Sequence, residues 1–140
     1  MSTQKTFART ARPTRCPWHR INSTHEIAPG IWSVSTESHG GILISAERRA
    51  AMPAHLRDIP TFAGGNAYEE DCDAGIILVA FPEYFPADYV ENARLSLMRY
   101  DREPREWETG QAYYVALRAA AQFIKQHGIP QAMQQTELSL

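Results

Sequence analysis

Two short polar segments carry the residue types that could do chemistry. The first, Ser38-His39-Gly40-Gly41, sets an imidazole beside two glycines between apolar runs. A histidine there can act as acid or base in a cleft, while backbone amides opened by the glycines meet an anion or a substrate oxygen. The same residues also describe a hairpin turn, with glycines supplying positive φ and His39 exposed at the tip. The second segment, Glu69-Glu70-Asp71-Cys72, crowds three carboxylates against a thiol. Such a group could hold a metal, or pair a general base with a nucleophile. On a helix, adjacent residues diverge, so Glu69 and Asp71 could not both join Cys72 in one site. Only pairs three or four apart, such as Glu69 with Cys72 or Asp73, would meet. A plain reading stands beside the chemical one. Cys72 borders an apolar run as a small core residue does, and acids at a helix start complement its dipole.

Other signatures are missing from the sequence. Cys16-Pro17-Trp18-His19 has the spacing of half a zinc site, but no second pair follows it, and His25, His55 and His127 stand apart. Two cysteines cannot build a disulfide framework, and nothing supports a Cys16–Cys72 bridge. There is no phosphate loop, Rossmann glycine pattern, nucleophile elbow or HExxH. No metal site and no cofactor is therefore expected from signatures alone.

The elements that would position these segments follow from periodicity and breakers. Residues 20–27 are rich in β-branched and polar types, and Ala28-Pro29-Gly30-Ile31 supplies a turn. From Ile31 to Thr36 side chains alternate, with Trp32, Val34 and Thr36 on one face, and Ile42-Leu43-Ile44 resumes as a strand. Ser45 caps a helical stretch over 46–57 that Pro53 must end or bend. Residues 58–67, with Pro60, Gly64 and Gly65, read as loop. The run from Tyr68 to Phe81 is ambiguous. Ile76, Ile77 and Val79 favour a strand, as does Gly75, whereas Asn66 followed by Glu69 has capping-box spacing and the acids suit a first turn. A buried helix over 68–81 is the reading adopted. Further helices are expected over 86–100 and 109–126, the latter stopped by Gly128 and Pro130. The expected fold class is α+β, a small N-terminal antiparallel β-meander packed against three or four helices. Trp18, Trp32, Phe81, Tyr84, Phe85 and Tyr89 are expected to fill the core between them, with a stacking or protein-binding platform as the other use.

Length and charge set the outer bounds. The 140 residues fit a single globular domain, 16–130, with a mobile basic arm over 1–15 and a flexible tail over 131–140. A net charge of -2 with 44% hydrophobic residues excludes a wholly disordered chain and disfavours direct nucleic-acid binding. The basic arm also lacks a recognition helix behind it. The longest uncharged apolar run, Ala74 to Pro82, falls far short of the ~20 residues that span a bilayer. No secretory h-region opens the chain, so a cytoplasmic protein without a membrane is expected. The charge is lopsided, however. Residues 1–57 balance at +5 and residues 69–108 at -7. Arg94, Arg99, Arg102 and Arg105 are interleaved with the acids, as on a solvated helix surface.

Taken together, the stretches EIAPGIWSVSTESHGGILISAERRAAMPAHLR (Glu26 to Arg57) and AYEEDCDAGIILVAFPEYF (Ala67 to Phe85) resemble an uncharacterised bacterial family, domain of unknown function 7007. The likeness covers about residues 16–90 and rests on SHGG followed by an ER pair, and on YEEDC leading to FPE. Tryptophans that often flank YEEDC in the family are replaced by Asn66-Ala67 and Ala74-Gly75. The resemblance implies an accessory protein of phages, plasmids and integrated elements, with no stated activity. It raises Ser38, His39, Gly40, Gly41, Glu47, Arg48, Tyr68, Glu69, Glu70, Asp71 and Cys72 together as a constellation, two distant loops converging beside the sheet.

Two functions of different class are consistent with this. The leading one is a non-catalytic accessory protein that inhibits a host defence complex of nuclease or CRISPR type. It would present Glu69, Glu70, Asp73, Glu83, Asp88 and Glu91 as an acidic face to a host protein or ribonucleoprotein, in a salt-sensitive contact. A homodimer stays open. The alternative is a small enzyme with a hydrolytic site at His39, Glu70 and Asp71, working with or without a metal.

Overall fold

Alternation of apolar residues builds the sheet. In the computed structural model, which describes residues 6–129, strands β1 (Ile21–Ala28), β2 (Ile31–Thr36), β3 (Gly40–Ile44) and β4 (Ala67–Glu69) form one antiparallel sheet in that order. Residues 1–5 of the expected arm and the expected tail, 131–140, lie outside the described residues. Between β3 and β4 the chain makes two short helices, α1 (Ala46–Ala51) and α2 (Ala54–Arg57), divided at Pro53 as expected. Ser45 caps α1, its hydroxyl accepting from the Arg48 amide at 3.0 Å. After β4 come α3 (Ala74–Ala80), α4 (Ala87–Met98) and α5 (Ala112–His127), with 3₁₀ turns at Pro82–Tyr84 and Glu106–Glu108. Gly128, at φ 75°, ends α5. The α+β expectation holds, with a four-stranded antiparallel sheet. Among the described residues there are five helices where three or four were expected, the break at Pro53 dividing one stretch into two.

The main departure lies at Tyr68–Phe81. Instead of one helix, the segment is an edge strand, a turn and a helix of seven residues. Asn66 does not cap a helix; its carbonyl accepts from the Ile44 amide at 3.0 Å and so lies alongside β3. Burial decides the outcome, because β3 would otherwise present an open edge beside the core. Tyr68, at 0% exposure, fills the space over that edge, and its hydroxyl accepts from Arg49 Nη1 at 3.2 Å.

The two faces of the sheet bury different things. Ile31, Ile42, Ile44 and Tyr68 join α2, α3, α4 and α5 in the main core, with Leu56, Ile77, Val79, Leu117 and Ala120. Val34 and Ala67, with Leu43, pack under Trp18 in a smaller cluster. Trp18 is held by the turn before β1, where the Cys16 thiol donates to the His19 carbonyl at 3.3 Å and His19 takes φ 86°. Cys16 thus closes a turn rather than half of a zinc site. Of the aromatics expected in the core, Trp18 and Phe81 are buried, Trp32, Tyr84 and Phe85 half-buried, and Tyr89 is 60% exposed.

Residues 6–15, the described part of the arm, carry no strand or helix but touch the domain. The Phe7 ring lies edge-on to Phe81 at 6.4 Å and 3.7 Å from the Arg48 guanidinium carbon. The Ala8 amide donates to Glu47, Arg9 pairs with Glu26, and Thr10 accepts from the Trp32 indole. Arg48 itself is buried. Its Nε donates to the Pro29 carbonyl at 2.8 Å and Nη2 to the Tyr84 hydroxyl at 3.2 Å, so the ER pair ties the first hairpin to the helices.

The α4–α5 connection is organised by one carboxylate. Glu108, 1% exposed, accepts two bonds from Arg102 at 2.9 Å each and one from the Arg105 amide at 3.0 Å. Arg118 Nη1 approaches to 3.7 Å. Among the described residues no helix is long and apolar enough to cross a membrane.

Candidate functional site

The two polar segments meet because their strands are neighbours. Gly41 on β3 pairs with Glu69 on β4, and the Glu70 amide donates to the Gly40 carbonyl at 2.9 Å. The β2–β3 turn is closed by Thr36, whose hydroxyl donates to the His39 carbonyl at 2.7 Å and accepts from the His39 amide at 3.0 Å. That fixes the backbone of His39 one residue before the strand begins. Ser38 sits at the exposed tip of the turn.

The glycines serve a different purpose from the one expected. Neither Gly40 nor Gly41 has positive φ. They are strand residues against which other groups press. A Cβ on Gly41 would fall 2.3 Å from the Tyr68 carbonyl oxygen and 2.6 Å from the Trp18 ring. One on Gly40 would fall 2.8 Å from the Val34 carbonyl oxygen. SHGG is therefore a turn followed by a bare strip of strand on which Trp18 lies.

Beyond β4 the chain turns sharply, and Glu69 makes the turn. Its Oε1 accepts from the amides of Asp71 at 2.9 Å and Cys72 at 3.1 Å, and its carbonyl from Asp73 at 2.8 Å. Its other oxygen, Oε2, stands 3.4 Å from His39 Nδ1. One carboxylate oxygen thus builds the turn while its twin faces the imidazole. The turn also overrides the helical geometry that would have kept Glu69 and Asp71 apart. His39, Glu69 and Asp71 each offer one ligand atom, and these atoms lie within 4.8 Å of one another. His39 and Asp71 are exposed and Glu69 is buried, so the trio opens to solvent from a fixed base.

The trio lines a cleft of about 520 Å³ together with Pro17, Trp18, Phe62, Ala63 and Cys72. Asp73 lies outside the lining but holds Phe62, which belongs to it. It is 1% exposed, and its Oδ2 accepts from the Phe62 amide at 2.9 Å, pinning the 58–66 loop to the start of α3. Desolvation raises the Asp73 pKa, partly offset by that amide. Desolvation and the carboxylates of Glu69 and Asp73 also push the Cys72 thiol up, the opposite of what a nucleophilic thiolate needs.

The expected site residues are redistributed by this geometry. The carboxylate facing His39 is that of Glu69, and Glu70 is not in the trio; an oxygen of Glu70 lies instead beside Gly40. Glu69 and Asp73 are buried parts of the turn and do not offer an acidic contact surface. Of the other acids, Glu70, Asp88 and Glu91 are exposed and Glu83 is half-buried, while Glu91 pairs with Arg94. Glu47, Arg48 and Tyr68 support the fold from outside the cleft. Trp18, Pro17 and Phe62 line it, and no sequence spacing ties them to His39. Only the burial of Trp18 on the glycine strip does so.

No curated protein and no solved structure matches the chain. A family model described as a domain of unknown function, DUF7007, matches residues 11–129. That span runs from before β1 past the end of α5, and so contains both segments of the cleft and all of the elements that position them. The chain belongs to the DUF7007 family.

Proposed function

We propose that the protein binds a divalent metal ion between His39, Glu69 and Asp71 and uses it for metal-assisted hydrolysis. The observation that carries this is the convergence of one imidazole and two carboxylates, from the β2–β3 turn and the β4–α3 turn, within 4.8 Å. An imidazole with two carboxylates suits Zn²⁺ or Mn²⁺ better than soft thiophilic ions. Three protein ligands leave further coordination positions for water and substrate, and a bound ion lowers the pKa of its water towards neutrality. Trp18, Pro17 and Phe62 would shield one side of that water. The Glu69 bonds to its own turn hold the carboxylate against rotation, as supporting bonds do around metal ligands.

Calorimetric titration of chelator-stripped protein with Zn²⁺ and Mn²⁺ tests this. One ion should bind per chain, and His39→Ala and Asp71→Ala should each weaken binding by about a hundredfold or more. Both side chains are exposed, so the metal-free melting midpoint should scarcely move. Hydrolysis of a nitrophenyl ester should rise with metal and vanish in both variants. Binding unchanged in either variant would remove the site.

A second reading is favoured by the exposed Tyr89 ring, which stands between the exposed acids Asp88 and Glu91 in sequence. In it the protein is an accessory factor of a phage or mobile element that inhibits a host defence complex of nuclease or CRISPR type without catalysis. Exposed aromatics flanked by charge are common at such contacts. Capture from a bacterial lysate should then yield one stoichiometric partner at low salt, lost at about 0.5 M as charges are screened. Capture that is indifferent to salt would remove the acidic face from the contact.

A further inference from the structure

A second cavity, of about 820 Å³, lies on the other side of the β4–α3 turn, between α3, α4 and α5. Asp71 and Cys72 line both cavities, so the turn is a shared wall. The volume suits a ligand of nucleotide size. Its chemistry is unlike that of the first cleft, because arginines and aromatic rings dominate the end formed by residues 99–114.

Trp107 is 57% exposed and stands edge-on to Tyr114, with ring centroids 5.2 Å apart. Tyr114 is braced in turn by Tyr113 at 5.1 Å and Tyr100 at 6.2 Å. The indole is thus held in place by its edge contact while more than half of its surface stays open. Burial raises the Tyr113 hydroxyl to a pKa of about 12, so it remains a hydrogen-bond donor at neutral pH.

Three guanidiniums line the same end: Arg99, Arg102 and Arg105. Arg102 is taken up by Glu108, whose carboxylate is buried beneath it. Arg99 has no side-chain hydrogen bond or ion pair among the described residues, and Arg105 is exposed. Three carboxylates, Glu70, Asp71 and Glu108, also line the cavity. Glu108 is spent on Arg102 and the other two belong to the β4–α3 turn, so Arg99 and Arg105 remain to grip a phosphate, for which a planar guanidinium is well shaped.

We infer that the α3–α4–α5 cavity binds a free nucleotide, its base stacked on Trp107 and its phosphate held by Arg99 and Arg105. Stacking on an indole is indifferent to base identity, so affinity should vary little between bases. The phosphate is the same chemistry whether it belongs to a free nucleotide or to the end of a strand. A free nucleotide fits better, because the cavity is of nucleotide size and Asp101, Glu103 and Glu106 interrupt the arginines of this segment, which leaves no basic run there for a strand to follow. The inference does not rest on a metal at His39.

Fluorescence titration of the full chain, stripped of metal by chelator, provides the test. AMP should bind saturably, with adenosine weaker by about tenfold or more. Trp107→Ala, and Arg99→Ala with Arg105→Ala together, should each lose about tenfold or more, while His39→Ala should bind as the parent does. Displacement of a fluorescent AMP analogue gives the same readout where the indole is absent. All of these side chains are exposed, and circular dichroism verifies that the variants are folded. No saturation by AMP at millimolar concentration, or unaltered binding by the Trp107 variant, would overturn the inference. So would a short 5′-phosphorylated oligonucleotide binding tenfold more tightly than AMP, which would assign the cavity to a strand end. Loss of nucleotide binding with intact metal binding, or the reverse, separates this inference from the hydrolytic site.

Discussion

Gly41→Ala should lower the melting midpoint by roughly 10 °C, corresponding to about 3 kcal/mol. The added methyl group would stand 2.3 Å from the Tyr68 carbonyl oxygen and 2.6 Å from the Trp18 ring. A flexible side chain could swing aside, but a backbone carbonyl in a paired strand cannot do so without moving the strand. Gly64 is the matched control. Nothing lies within 4 Å of its Cβ position, although its φ of 77° carries a strain of about 1–2 kcal/mol for alanine. Urea melts of the two variants decide the matter. If Gly64→Ala is the more damaging, the glycine strip is not held by close approach. The same change should also weaken metal binding, because moving β4 moves Glu69.

Glu108→Gln should cause the largest loss of stability among single carboxylate-to-amide changes in the chain, and the loss should depend on pH. Arg102, through two hydrogen bonds, is the chief reason that the Glu108 pKa falls from 4.5 to about 2. A carboxyl whose pKa is lower folded than unfolded contributes stability in full above the unfolded value. That contribution is lost as pH falls through the window from about 4.5 to about 2. The parent and variant midpoints should therefore differ most above pH 5 and converge near pH 2. A constant gap across this range would mean that shape, not charge, is what Glu108 supplies. Arg102 and Arg118 would also be left beside a neutral amide, so the α4–α5 connection should loosen and expose Trp107 further.

The legibility of the fold followed the range of the interactions involved. The β1–β2 hairpin, the Ser45 cap, the break at Pro53 and the stop at Gly128 are set by neighbours in the chain, and each is readable from local residue types. Tyr68–Phe81 was not readable in that way. Its acids and Asn66 fit a capped helix locally, but an unpaired edge on β3 and a cavity for the Tyr68 ring outweigh that preference. The error carried over to the site. A helix separates Glu69 from Asp71, whereas the real turn, built by Glu69 itself, folds both towards His39. The family is that of the match over residues 11–129, and β-pairing of Gly41 with Glu69 is what brings the SHGG and YEEDC segments together in space. Trp107, Tyr114 and Arg99 gave no signal as a group, since the interleaved charges around them look like an ordinary solvated surface.

The pairing of β3 with β4 has one more consequence. The two halves of the His39–Glu69–Asp71 trio are joined twice, once through the chain by residues 45–66 and once across the sheet. The covalent route runs through Gly64 and Gly65, both with positive φ and open space around them. A protease that cut there would sever the peptide chain without breaking a strand pair. The trio belongs to a seam between two pieces of chain, and each piece carries its part of the site to wherever the other is recognised.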